Sequence, residues 1–345
     1  PQAVEETGGW ANRDTAQRFL DYAIAVHEGL GDRVDHWTTF NEPLCSSLIG
    51  YAGGEHAPGR QEPRAGLAAL HHQHLAHGLA VQELRARGAT ELGITLNLTN
   101  AIPNDPSDPV DLDAARRLDA LWNRAYLEPI LLGAYPTDFL EDVAGHGFDQ
   151  IVRDGDLETI HQKIDFLGVN HYHDDNVSGH PLPEGHPKGL SPTTKKTSSW
   201  FVGSEFLTGP TRNLPQTAMG WEINPDGLRT LLVRLGREYP ELPPLYITEN
   251  GSAWDDVLTP DGQVHDVQRV EFLERHLEAV AVAIHEGADV RGYFAWSLMD
   301  NFEWAWGYEK RFGVVYVDYE TQERIVKDSG HRFAEIAAAT RTLAS

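Results

Sequence analysis

The chain has 345 residues, 41% of them hydrophobic and 23% charged, which is long enough to bury a sizeable core. Its formal net charge of -24 disfavours nucleic acids and anionic membranes, because binding phosphate requires clustered basic side chains. Cys45 is the only cysteine, which excludes an internal disulfide and favours a reducing, cytoplasmic compartment. No apolar run approaches the length of a membrane span.

Short apolar runs alternate with amphipathic helical stretches along the chain. The predicted elements, in chain order, are helix 15–30, strand 34–40, helix 65–87, strand 92–98, helix 112–132, strand 165–170, helix 225–239, strand 245–248, helix 267–285, strand 290–295 and a helix near 329–343. Asp14 is predicted to cap the first helix and Gly31 to stop it. Strands that alternate with helices indicate βαβ units and a parallel sheet.

Polar side chains follow the predicted strands where each strand ends. The sets are Asn41 with Glu42, Asn97, Asn170 with Tyr172, Glu249 with Asn250, and Trp296 leading to Glu303. In a (β/α)8 barrel, such strand ends ring the mouth at which chemistry is done. An open doubly wound sheet also binds ligands at strand ends, but no glycine-rich phosphate loop follows any strand here. The barrel is therefore preferred, although five strands are predicted and a barrel needs about eight.

Two of these strand-end residues are carboxylates in similar settings. Glu42 closes one apolar strand and is followed by Pro43, and Glu249 closes another and is followed by Asn250 and Gly251. Two carboxylates in one aromatic-lined cleft are what glycosidic bond cleavage requires, with a separation of about 5 to 5.5 Å for the retaining route. Either glutamate alone could instead serve an ion-pair network.

Several segments resemble glycoside hydrolase family 1, the β-glucosidase family. TFNEP and YITENG resemble its two signature segments. Further segments look like that family in its order: GGWANRDTAQRFLDYA, GYAGGEHAPGR, HLAHGLAVQ, DFLGVNHYH, MGWEI and WSLMDNFEWAWGYEKRFGVVYVDY. The resemblance spans essentially all 345 residues. It implies a (β/α)8 TIM barrel that hydrolyses β-glycosides with retention, without a metal or another cofactor.

The resemblance also implies roles for individual residues. Glu42 matches the general acid/base at the end of the fourth strand, and Glu249 matches the nucleophile at the end of the seventh. The matches to substrate-binding residues are Asn41 at the sugar 2-hydroxyl, Asn170, Tyr172 beside the nucleophile, Trp221 at the aglycone side, Trp296 under the glycone ring, and Glu303 with Trp304 at the C4 and C6 hydroxyls.

The chain also departs from the family pattern. It is expected to begin after the third strand and to supply about strands 4 to 8 with their helices, as a single, N-terminally incomplete catalytic domain over residues 1–345. A second chain or a homo-oligomer could complete the barrel. Leu44 stands where many relatives carry Trp, which predicts a reshaped aglycone platform. The stretch 179–217 is too long for a simple connection and predicts a lid or a cleft wall.

The predicted substrate is a small β-glucoside or an oligosaccharide such as cellobiose. A carboxylate at Glu303 would repel a phosphate, which favours an unphosphorylated glycone. Plant thioglucosidases of the family carry Gln at the position of Glu42, so O-glycosides are expected.

Two alternatives remain open from the sequence. His71, His74 and His77 recur at helical spacing and could bind zinc, although no Cys or carboxylate completes a compact ligand set and buried packing of the imidazoles explains them as well. The chain could also be a catalytically weak or inactive sugar-binding relative. Relatives of that kind lose one of the two carboxylates, whereas this sequence keeps both.

Overall fold

The structure is a computed structural model that describes residues 1–181, 202–204, 207 and 209–344. Residue contacts divide the chain into two units. Unit 1 comprises Pro1–Asn170, Asp175–Pro210 and Glu238–Tyr246, and unit 2 comprises His171–Asp174, Thr211–Arg237 and Ile247–Ser345. Among the described helices, none is long and apolar enough to cross a membrane.

The α-helices are α1 Gln2–Glu5, α2 Asp14–Leu30, α3 Pro63–Ala86, α4 Pro109–Asp119, α5 Ala125–Leu131, α6 Thr137–Asp142, α7 Asp156–Ile160, α8 Pro225–Glu238, α9 Val267–His285 and α10 Asp328–Ala344. The strands are β1 His36–Asn41, β2 Glu91–Asn97, β3 Ala101–Pro103, β4 Phe166–Asn170, β5 Asp175–Val177, β6 Leu245–Asn250, β7 Val290–Ala295, β8 Val315–Val317 and β9 Arg324–Val326. Cys45–Gly53 and Ala120–Arg124 form π-helical turns.

Unit 1 is built on the parallel strands β1, β2 and β4. Strand β2 pairs with β4 in continuous register from Gly93 opposite Phe166 to Asn97 opposite Asn170. Strand β1 pairs with β2 and shifts its register between Thr38 and Asn41. Because parallel strands end at the same edge of a sheet, this pairing brings Asn41, Asn97 and Asn170 to one edge.

Unit 2 contains the ends of the later strands. The backbone N–H of His171, which directly follows β4, donates to the Glu249 carbonyl at 3.0 Å. The backbone N–H of Trp296, which directly follows β7, donates to the Asn250 carbonyl at 2.9 Å. These bonds fix the residues that follow strands β4, β6 and β7 beside one another.

Helix α3 is the most deeply buried helix of unit 1, and it carries histidines on its buried positions. His71 lies between Asp156, with Nε2 to Oδ2 at 2.8 Å, and the Tyr135 hydroxyl at 3.0 Å from Nδ1. His77 Nδ1 lies 2.7 Å from the Thr39 hydroxyl on β1. These polar side chains are tolerated in the interior because they are hydrogen-bonded there.

Periodicity predicted most long elements correctly. Helix α9 and strand β7 have the predicted bounds 267–285 and 290–295, and most other predicted ends fall within about two residues. The prediction that Asp14 caps α2 was wrong, since Asp14 is the first helical residue and its N–H donates to Asn12 Oδ1 at 3.0 Å. Most of the predicted lid or cleft wall, 179–217, lies outside the described residues.

The predicted helix 112–132 is present, with a π-helical turn inside it that the sequence did not predict. Helical backbone continues without a gap through α4, the turn Ala120–Arg124 and α5. Asn123 in this turn accepts the backbone N–H of Thr99 and donates to the Thr99 carbonyl, and Trp122 Nε1 donates to the Asn97 carbonyl. These bonds to the end of β2 and to Thr99 account for the π-helical turn, because a regular α-helix would aim both side chains elsewhere.

We expect acidification to destabilise unit 1 through its buried histidines. Burial lowers the pKa of His77 to about 3, whereas an unfolded histidine titrates near 6.5. Since the unfolded state binds this proton first, stability falls as the pH drops from 6.5 toward 3. The loss between pH 7 and pH 5 should be about 2 kcal/mol for this side chain.

The variant His77→Gln, which takes up no proton, should therefore show a flatter dependence of the urea midpoint on pH between pH 7 and pH 5. The matched control is His285→Gln, at an exposed position near the end of α9. This control should keep the wild-type pH dependence. An unchanged pH dependence in His77→Gln would contradict the assignment.

Candidate active site

Glu42 sits in a strained backbone conformation just after β1. Its φ is 49°, in the left-handed region that non-glycine residues rarely adopt, and its N–H donates to the Thr95 carbonyl at 3.0 Å. Such strain is commonly found at functional sites, where the surrounding structure holds it in place. Trp304, another predicted site residue, is also among the few described non-glycine residues with positive φ, at 43°.

Asn170 holds the carboxylate of Glu42 from the neighbouring part of the sheet. Its side-chain Nδ2 donates to Glu42 Oε1 at 2.8 Å and to Asn41 Oδ1 at 2.9 Å, and Asn170 itself is fully buried. Cys45 Sγ donates to the other carboxylate oxygen of Glu42 at 3.1 Å. Both oxygens of Glu42 are therefore oriented by donors, and three predicted site residues, Asn41, Glu42 and Asn170, form one cluster in unit 1.

Glu249 forms a second cluster, in unit 2. The Tyr172 hydroxyl donates to Glu249 Oε2 at 2.5 Å. Hydrogen bonds donated to a carboxylate favour its ionised form. The Tyr172 ring lies 5.3 Å from the ring of Trp221 and 6.1 Å from that of Phe312, so an aromatic wall lies beside the carboxylate.

Asn250 ties the end of β6 to its surroundings. Its Nδ2 donates to the His171 carbonyl at 2.6 Å, and its Oδ1 accepts from the Tyr293 hydroxyl at 2.7 Å. The fully buried Asn250 thereby fixes the backbone directly after Glu249. The sequence singled out Asn250 only as a turn residue, because its partners lie far away along the chain.

Trp296 approaches the same turn very closely. Its carbonyl oxygen would lie 1.9 Å from a Cβ added at Gly251, so only glycine fits there. Trp296 is half-buried and is joined to Ser297 by a cis peptide. The glycine of the YITENG segment is therefore needed for the close approach of the chain that carries Trp296.

Glu303 and Trp304 lie in the loop that follows β7. The Glu303 N–H donates to the Gly307 carbonyl at 2.7 Å and closes a short turn that contains Trp304. Trp304 is 62% exposed. Its role at the sugar stays a prediction.

Not every position flagged by the sequence is accessible. Leu44, predicted to reshape an aglycone platform, is only 2% exposed and lies in the interior. The histidines of the predicted zinc alternative, His71, His74 and His77, are all buried, and His71 is hydrogen-bonded to Asp156. A shared metal would have to compete with these hydrogen bonds.

Within the described residues, the histidines of α3 do not form a group with metal-ligand spacing, and the group that does consists of Asp108, Asp111 and His180. Its members already hold protein groups, since Asp108 caps α4 through the Val110 N–H and binds His180 Nε2. Asp111 accepts from the Ser178 hydroxyl and the Gly179 N–H. The absence of a metal from the reaction therefore stays a prediction.

The strand-helix alternation, the parallel pairing in unit 1 and two hydrogen-bonded glutamates at strand ends are features expected of one class of protein. This class is the (β/α)8 glycosidases, which place such carboxylates at the carboxyl ends of barrel strands.

Comparison with known proteins identifies the family. The profile of glycosyl hydrolase family 1 matches residues 1–342. A bifunctional beta-D-glucosidase/beta-D-fucosidase of Bifidobacterium breve is 47% identical over 326 residues, covering 93% of this chain and 68% of its own length. A thermostable beta-glucosidase B of Thermobispora bispora is 46% identical, covering 97% of this chain and 65% of its own length.

Solved structures agree with the sequence comparison. The crystal structure of a psychrophilic beta-glucosidase from Micrococcus antarcticus superposes with a TM-score of 0.96 at 66% identity, covering 98% of this chain and 72% of that one. A family 1 β-glucosidase from Thermotoga maritima has a TM-score of 0.85 at 38% identity, covering 97% of this chain and 70% of that one. The chain belongs to glycosyl hydrolase family 1, a family of (β/α)8 barrels, of which it supplies about strands 4 to 8 with their helices. It is a glycoside hydrolase of the β-glucosidase type.

We expect Gly251→Ala to damage the site without touching either glutamate. The added Cβ would meet a backbone oxygen that cannot rotate away, so Trp296 or the end of β6 must move. Overpacking of this kind should lower the free energy of unfolding by about 1–3 kcal/mol. A displacement near the reacting groups should reduce kcat/KM by roughly tenfold or more.

The matched control is Gly236→Ala in α8, where an added Cβ meets nothing within 4 Å. Alanine there should leave kcat/KM unchanged and stabilise the helix by about 0.5–1 kcal/mol. Wild-type kinetics for Gly251→Ala, measured beside this control, would show that the close approach does not matter to the site.

Proposed function

We propose that this protein hydrolyses terminal β-D-glycosidic bonds of unphosphorylated O-glycosides, with retention, through Glu42 and Glu249. The observation that supports Glu249 as the nucleophile is the 2.5 Å hydrogen bond that it accepts from the Tyr172 hydroxyl, whereas the acid/base role of Glu42 rests on the match of its TFNEP segment to the family. A carboxylate that receives this bond is favoured in its ionised form, which is the form a nucleophile needs.

In the first step, Glu249 attacks the anomeric carbon and forms a covalent glycosyl ester. Glu42 donates its proton to the glycosidic oxygen, so that the aglycone leaves as a neutral alcohol. The donors Asn170 and Cys45 hold the two oxygens of Glu42 in a fixed plane. A fixed carboxyl group loses little orientational freedom when the proton is transferred.

In the second step, Glu42 acts as a general base. It takes a proton from water, the resulting hydroxide attacks the anomeric carbon, and Glu249 leaves as a carboxylate. Two inversions give a product with the original β configuration. The Tyr172 hydrogen bond helps Glu249 to leave, because it stabilises the charge that returns to the carboxylate.

The remaining predicted residues are proposed to bind the sugar. Asn41 Oδ1 is held by Asn170 and is assigned to the 2-hydroxyl of the glycone. Trp296 is assigned to the apolar face of the ring, and Glu303 with the exposed Trp304 to the hydroxyls at C4 and C6. Trp221, beside Tyr172, is assigned to the aglycone side.

The proposed substrate is a small β-glucoside or an oligosaccharide such as cellobiose, in line with the β-glucosidases that the chain resembles. The chain spans about two thirds of the length of those relatives. A cytoplasmic location, a homo-oligomer or second chain, and the lack of a cofactor or a membrane partner stay predictions.

We expect Glu249→Gln to abolish hydrolysis of 4-nitrophenyl β-D-glucopyranoside, because the amide cannot form the ester. The loss in kcat should be roughly 10⁴-fold or more, the size seen when a covalent nucleophile is removed. Glu241→Gln, at an exposed position, is the matched control and should keep wild-type activity. Activity that survives Glu249→Gln would refute the mechanism, and an inactive wild type that still binds glucosides would favour the sugar-binding alternative.

We expect Glu42→Ala to turn over only substrates with a good leaving group, such as 2,4-dinitrophenyl β-D-glucopyranoside, because no acid assists departure. Azide should restore turnover by attacking the ester where water lacks a base. The product should be the β-glycosyl azide, identified by NMR. An α-configured product would exclude retention.

A further inference from the structure

Unit 2 contains a buried network of six charged side chains that the proposed mechanism does not use. Its cations and anions are equal in number: Arg269, Arg311 and Lys327 against Asp256, Asp266 and Asp300. Apart from Arg311, whose side chain is 17% exposed, every member is at most 2% exposed. Burying so many charges is costly, so the network needs full pairing to be tolerated.

Lys327 is the central cation of this network. Its ammonium is fully buried and donates to Asp256 Oδ2 at 2.5 Å and to Asp300 Oδ1 at 2.8 Å. Lys327 directly precedes α10, and Asp256 lies in the loop after β6, the strand that ends at Glu249 and Asn250. The ammonium therefore joins the nucleophile's loop to the loop that carries Asp300.

Asp300 organises the backbone around it. Its carboxylate accepts from the N–H groups of Gly313 and Val317, at 3.0 and 3.3 Å, and from Arg311 Nη1 at 2.6 Å. Its own N–H donates to the Val315 carbonyl at 3.0 Å. Asp300 therefore hydrogen-bonds the segment after Trp296 to the segment 312–317.

Asp300 lies three residues before Glu303 along the chain. Arg311, which is bound to Asp300, lies over the rings of Tyr316 and Tyr319 at 4.1 and 4.6 Å. The Tyr319 hydroxyl reaches the carbonyl of Asn301, at 3.4 Å. These contacts connect the buried charges to the exposed turn at Glu303 and Trp304.

We propose that Lys327 and Asp300 are positioning residues for glycone recognition. They hold the loop that carries Glu303 at a fixed position relative to the loop that follows Glu249. This inference rests on the proposed function, in which Glu303 binds sugar hydroxyls. The two loops leave β6 and β7 separately, and the buried charges connect them at a fixed spacing. Loss of the link that Lys327 makes between Asp256 and Asp300 weakens binding of the sugar hydroxyls more than it slows bond cleavage.

The test compares two substrates that differ in one group. 4-Nitrophenyl β-D-xylopyranoside lacks the hydroxymethyl group of the corresponding glucopyranoside. The ratio of kcat/KM for glucoside over xyloside therefore measures recognition of that group. We expect Lys327→Met to lower this ratio by about tenfold, the loss typical of one charged hydrogen bond. Glu303→Ala should lower it at least as much.

A second variant separates positioning from stability. Lys327→Met leaves the network with one excess negative charge, and the double variant Lys327→Met/Asp256→Asn restores the balance without restoring the link to Asp300. We expect the double variant to recover Tm but to keep the low ratio. Recovery of the ratio together with Tm would overturn the inference and leave Lys327 with a purely structural role.

Ser329→Ala is the matched control, since Ser329 contacts Asp266 at the far side of the network. It should lower Tm and leave the ratio unchanged. If Lys327→Met does not fold, Asp300→Asn decides instead, because it keeps the size of the side chain but loses the charge that pairs with Lys327 and Arg311. We expect Asp300→Asn to lower the ratio by about threefold or more, and an unchanged ratio would overturn the inference.

The outcome for Glu303→Ala distinguishes the two proposals. A ratio that falls in Glu303→Ala but not in Lys327→Met overturns the positioning role alone. A ratio unchanged in Glu303→Ala overturns the role assigned to Glu303, and the positioning inference with it.

Discussion

The hydrogen bonds from the Asn170 amide to Asn41 and Glu42 are the interaction on which the unit 1 part of the site depends. They require the ends of β1 and β4 to reach the same edge of the sheet, which the parallel pairing through β2 provides. They also help to hold Glu42 in its strained backbone conformation. The buried Asn170 amide thus links the pairing of the strands to the orientation of the Glu42 carboxylate.

In unit 2, the Glu249 carboxylate is held by different contacts. Glu249 follows a regular strand, and its carboxylate is oriented by a phenol rather than by an amide. The turn after it is fixed by Asn250 and by the close approach of Trp296 to Gly251. Glu42 accepts from a thiol and an amide and Glu249 accepts from a phenol, so different donors orient the two carboxylates.

The sequence predicted the parts of this structure that depend on local pattern. Helix α9 follows from a long apolar stripe, and both glutamates could be found because each closes an apolar strand and is followed by a turn residue. The π-helical turn before α5 could not be predicted, since it depends on Asn123 bonding to Thr99. The charge network was missed for the same reason, because Lys327 lies 71 and 27 residues from its two partners along the chain. Interactions of this kind are set by tertiary contact rather than by local periodicity.

The bond from Cys45 to Glu42 has a practical consequence for chemical labelling. Cys45 is the only cysteine of the 345 residues, it is half-buried, and its sulfur lies 3.1 Å from the carboxylate proposed to handle the proton. A thiol-reactive probe can therefore form one covalent adduct, and that adduct would stand beside the proposed reacting group. Fluorine or spectroscopic labels attached there would report on the surroundings of Glu42 without any engineered cysteine.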